Sequence, residues 1–122
     1  MPDYASELAV LEAMTPEERR AHFQQEERES HAPMMAGFHE HIELCEWFID
    51  YCTGYIEKRQ YAFLDGVIDE ATLRKDLQLA IDCINGNKET IKTLRRDIAH
   101  YSRYPLGTQK RRDYIKQQAR RG

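Results

Sequence analysis

From Gly37 to Leu64 the apolar side chains recur at steps of three and four and never settle into alternation. Phe38, Ile42, Cys45, Phe48, Ile49, Cys52, Tyr55 and Ile56 fall on one side of an α-helix. That spacing predicts a helix from about residue 35 to about 64, on the order of 40 Å long. A helix of that length with one apolar stripe needs neighbours to cover the stripe. No stretch of the chain alternates with period two, so the neighbours are helices as well.

Further segments carry the same period. Tyr4, Leu8 and Leu11 mark a short first helix. Thr15, Pro16 and Glu18 form an N-terminal capping signature for a second, "PEERRAHFQQEERESH", which has few apolar anchors beyond Ala21 and Phe23. Pro33 is expected to end it, because the residue before a proline is pushed out of helical geometry. "LDGVIDE" reads as a turn, with Asp69 capping the next helix. Leu73, Leu77, Ala80, Ile81 and Ile84 line that helix, and Ile91, Leu94, Ile98 and Tyr101 line another. "NGN" between them supplies a glycine stop and a new cap, Asn87. Thr108 caps a basic last helix, "QKRRDYIKQQARRG". The expectation is an all-α, single-domain bundle of about five to six helices around residues 35–64, with polar, partly flexible ends. Residues 1–32 form its acidic, loosely packed part, 34–104 its core and 105–122 its basic end.

At 122 residues the chain has room for one modest core. No apolar run approaches the about eighteen residues of a membrane span, and the first residues lack the pattern of a secretory leader. Three cysteines, all within apolar helical patterns, suggest reduced thiols. A cytoplasmic protein without membrane contact is the expectation. The net charge of −3 conceals a segregation. Residues 1–70 hold five Lys/Arg against sixteen Asp/Glu, and residues 71–122 hold thirteen against five. Such asymmetry bears on partners rather than on fold, and the two halves could pair within one molecule or across a homodimer.

The residues "GFHEHIELCEWFIDYC" concentrate soft ligands. His41 and Cys45 share a helix face, as do His39 and Glu43, so either pair could hold two sites of one ion. Cys52 lies about 10 Å beyond Cys45 and cannot join it. A full site would draw on His31, His100 or Cys83, and the spacing of known strong metal motifs is absent. Burial of His41, Cys45 and Cys52 on the apolar stripe is the better expectation, with no metal or other cofactor. The chain has no GxSxG elbow and no glycine-rich phosphate loop, and a thiol buried on an apolar stripe is a poor nucleophile. No catalytic residues are assigned, and the chain is expected not to be an enzyme.

Three binding readings remain. In the first, a helical adaptor, regulator or stoichiometric inhibitor binds a protein partner through an acidic ridge of Glu40, Glu43, Glu46, Asp50 and Glu57, with Trp47 and Tyr51 as aromatic anchors. It self-associates as a homodimer. In the second, Lys88, Lys92, Arg95 and Arg96, with Lys110, Arg111, Arg112 and Lys116, bind nucleic acid, and "NGN" is the turn of a helix-turn-helix. In the third, the acidic helices occupy the basic channel of a nucleic-acid-handling complex, as a phage- or plasmid-type inhibitor would.

Overall fold

A computed structural model describes residues 3–122. The described residues form four helices and no strand: α1 (Tyr4–Ala13), α2 (Pro16–Leu64), α3 (Glu70–Arg103) and α4 (Gln109–Arg121). The all-α class is as the periodicity requires.

The helix count differs from the expected five to six, for two reasons that share a cause. Pro33 lies inside α2 and does not end it. "NGN" lies inside α3, which removes the helix-turn-helix. At both places the apolar register runs through the supposed break without a phase shift. In α3 the half-buried or buried row is Ala80, Ile84, Asn87, Ile91, Leu94 and Ile98, in steps of four and three across Gly86. Asn87 Nδ2 donates to the Cys83 carbonyl at 2.8 Å, and Thr90 Oγ1 to that of Gly86 at 3.0 Å. The polar side chains that suggested a cap are thus bonded back along a continuing helix. In α2 the row passes from His31 to Phe38 in the same way, with Met34 and Met35 half-buried between them.

The true ends are well marked. Glu18 N–H donates to Thr15 Oγ1 at 3.2 Å, and that hydroxyl donates to Glu18 Oε1 at 3.1 Å. Thr72 N–H donates to Asp69 Oδ1 at 2.7 Å, and Arg111 N–H to Thr108 Oγ1 at 3.3 Å. Helix α2 closes on Gly66, whose φ is +74°. Val67 N–H donates to the Ala62 carbonyl and Gly66 N–H to that of Phe63, at 2.8 and 3.0 Å, the paired bonds of a Schellman cap.

The chain divides into two compact units, Met1–Met35 with His100–Gly122, and Ala36–Ala99. In the first, the turn before α4 is strapped to α2. Gly107 N–H donates to Glu27 Oε2 at 3.1 Å, Arg28 Nε donates to the Gly107 carbonyl at 3.1 Å, and Leu106 N–H donates to His31 Nδ1 at 3.2 Å. The Tyr104 and Tyr114 rings stack at 4.3 Å, with His100 beside both.

In the second unit, α2 and α3 form an antiparallel pair. Arg59 Nε bonds Asp76 Oδ2 at 2.7 Å, and the Cys52 and Cys83 side chains meet further along. The buried hydrophobic residues are Cys45 and Cys52 from α2 and Ala80, Ile91 and Leu94 from α3. The small side chains among them leave room for close helix approach.

Candidate functional site

The expected acidic ridge lies in the Ala36–Ala99 unit, where Glu40, Glu43, Glu46, Asp50 and Glu57 are all exposed. Spacing divides them. Glu43, Glu46, Asp50 and Glu57 recur at steps of three, four and seven and make one line. Glu40 stands instead in the row that continues through Leu44, Trp47 and Tyr51.

On α3, Lys88, Lys92, Arg95 and Arg96 are also exposed and line one shallow groove with Ile91 and Ala99. The Arg59–Asp76 and Cys52–Cys83 contacts set the register of the pair. They bring α2 residues 40–50 level with about residues 85–95 of α3. The opposite charges are therefore at the same height on neighbouring helices. Yet among the described residues no ion pair joins the two ridges. The one ion pair between helices among the described residues is Arg59–Asp76, in which each partner opposes the charge balance of its own half of the chain.

The other expected basic residues lie in the unit that contains α4, where they do different work. The Arg111 guanidinium stacks over Tyr101 at 4.7 Å. Its Nη1 lies 3.4 Å from His100 Nε2 and donates to the Tyr104 carbonyl at 3.4 Å. Lys110 Nζ sits 5.9 Å from the Tyr104 ring. Arg111 is thus a half-buried fastener of α4 rather than part of an open ridge. Lys116 is exposed and Arg112 partly so.

Trp47 and Tyr51 are 57% and 60% exposed, and their rings stack at 5.5 Å and 16°. Phe48 packs edge-on against Trp47 at 5.1 Å, and Leu44 is exposed beside them. The aromatic anchors are therefore one preformed patch on α2.

The expected burial of His41 is not found. His41 is exposed, whereas Cys45 is only 3% exposed and Cys52 7%. His39 and Glu43 are both exposed. Among the described residues, no three His, Cys, Asp or Glu come together as a metal site. A hydrogen bond with Cys83, followed by burial, pushes the Cys52 thiol above its ordinary range, which keeps it protonated and unreactive at neutral pH.

Sequence reasoning missed Arg59 and Asp76, although a signal was present. Arg59 follows Cys45 and Cys52 at steps of seven, and Asp76 falls between Leu73 and Ala80 on the α3 seam. A charge in phase with an apolar seam implies a partner across it. Glu27, Arg28 and His31 carried no such signal, because their partners are backbone atoms about eighty residues away.

No helix of the described residues is long and apolar enough to cross a membrane. No known family model matches the chain, and no curated protein or solved structure matches it either.

Proposed function

We propose that this chain is a non-enzymatic helical interaction protein that binds a macromolecular partner through its segregated charged faces. The observation that carries the reading is the unpaired state of the two ridges. Glu43, Glu46 and Asp50 stand level with about residues 85–92 of α3, and Glu57 lies beyond that stretch. These carboxylates and Lys88, Lys92, Arg95 and Arg96 are all exposed, and among the described residues no ion pair joins the two ridges. Ridges that do not neutralise each other within the chain remain available for steering and recognition of charged surfaces. The acidic line spans about 21 Å along α2. That length supports the finer reading of an inhibitor or regulator that occupies a basic channel in a nucleic-acid-handling complex.

A second reading, direct nucleic-acid binding, is supported by the groove on α3 that gathers Lys88, Lys92, Arg95 and Arg96. It now rests on a basic helix face alone. Its mark would be affinity for an oligonucleotide that falls steeply with salt.

Affinity capture from lysate, with and without nuclease, tests both. The proposed function predicts a stoichiometric protein that survives nuclease and is lost when the acidic ridge is reversed to lysine. Nucleic acid retained through the α3 groove alone would replace the first reading with the second.

A further inference from the structure

One row on α2 is used by neither the seam nor the acidic ridge. Gly37, Glu40, Leu44, Trp47, Tyr51, Gly54, Lys58 and Tyr61 recur in steps of three and four without a fault, the spacing of a helix–helix seam. Its side chains face solvent: Leu44, Trp47, Tyr51 and Tyr61 are each more than half exposed, and Glu40 and Lys58 are exposed as well.

The row is complementary to itself when reversed about its midpoint near Ile49. Reversal sets Trp47 opposite Tyr51, Leu44 opposite Gly54, Glu40 opposite Lys58 and Gly37 opposite Tyr61. Each glycine meets a large side chain, each acid meets a base, and the aromatic pair meets itself. A β-carbon at Gly37 or Gly54 would touch nothing within 4 Å in the chain itself. A shallow depression at Gly54, lined by Asp50, Tyr51, Tyr55 and Lys58, is where a leucine would seat.

Resting on the reading of the chain as an interaction protein, we infer that the occupant of this face is a second copy of the chain. Two α2 helices pack antiparallel about a dyad near Ile49, in an isologous interface with the Trp47–Tyr51 stacks at its centre and Glu40–Lys58 pairs at its ends. Aromatic residues at the core and charges at the rim are the ordinary anatomy of such contacts. This pairing leaves the line of Glu43, Glu46, Asp50 and Glu57 outside the row that meets the second copy.

Glu40 and Lys58 lie eighteen residues apart, about 27 Å along one helix, so they cannot pair within a chain. That separation makes a charge swap diagnostic. Sedimentation velocity of the full chain over about 1–100 µM should show a monomer–dimer equilibrium, with a blue shift of Trp47 fluorescence as the dimer fills. Glu40→Lys and Lys58→Glu should each weaken dimerisation about tenfold, by replacing two attractive end pairs with repulsive ones. The double variant Glu40→Lys/Lys58→Glu should restore it. Gly54→Leu should abolish dimerisation while raising helix stability, because a helix-interior glycine is replaced in open space. A double variant no better than the single ones, or a Gly54→Leu chain that still dimerises, overturns the register.

A wild-type chain that stays monomeric throughout overturns the dimer, and leaves the proposed function standing if the ridge-dependent partner is still captured. A dimer that obeys the charge swap but captures no partner supports this interface and counts against the proposed function alone.

Discussion

A β-carbon at Gly107 would run into the backbone of α2, 2.8 Å from the Gln24 carbonyl oxygen and 2.9 Å from the Arg28 nitrogen, and into the Arg28 side chain. Its φ of +74° adds a conformation that other residues resist. Gly107→Ala is therefore expected to cost about 2–5 kcal/mol of stability in urea denaturation, the conformational cost and the clash together. Gly66→Ala has the same φ but open space around it, and should cost only about 1 kcal/mol. Equal losses would mean that the α2 contact contributes nothing. Asp69 shows a residue acting through charge. Hydrogen bonds from the Thr72 side chain and, second, from the Thr72 N–H hold its carboxyl below the usual 3.8. A carboxyl depressed by folding contributes stability above its unfolded pKa and loses it as pH falls through the folded one. Asp69→Asn retains a cap acceptor, so it should flatten the fall in melting temperature below about pH 4. An unchanged acid limb would contradict that role.

The elements were legible in class and at their true ends. Periodicity identified the apolar helical segments and capping signals the two polar ones, and the Thr15, Asp69 and Thr108 caps are where their side chains suggested. The error lay in weighting residue identity over phase. Pro33 and Gly86 break helices by intrinsic preference, but at each the row of buried and half-buried residues continues in register, and the phase outweighs a local cost. This is testable in α3. Gly86→Ala should raise stability by about 1 kcal/mol, because the glycine is helix-interior with nothing within 4 Å of a β-carbon. Were Gly86 a left-handed helix stop, the same change would lower stability by a similar amount. Thermal melts of the two proteins distinguish the cases by sign. The Gly107 strap could not be read, because a side chain bonded to distant backbone leaves no periodic trace.

For the molecule as a whole, the charge asymmetry was visible by counting, but its use was not. Counting allowed the acidic and basic halves to neutralise each other inside the chain. The described structure instead leaves the two ridges without a mutual ion pair, and joins α2 to α3 through Arg59 and Asp76. Helical spacing also placed His41 in the seam, where the structure has it exposed. Three and four residues are nearly, but not equally, one turn, so positions at the margin of a stripe are decided by packing.

The central claim is that the line of Glu43, Glu46, Asp50 and Glu57 is a recognition surface. Its most direct measurement is capture by the full chain and by a variant with all four residues replaced by lysine, with matched circular dichroism spectra. The account predicts a stoichiometric protein partner held by the wild type and reduced at least about tenfold with the variant, its affinity falling as salt rises. Equal retention by both chains would contradict it.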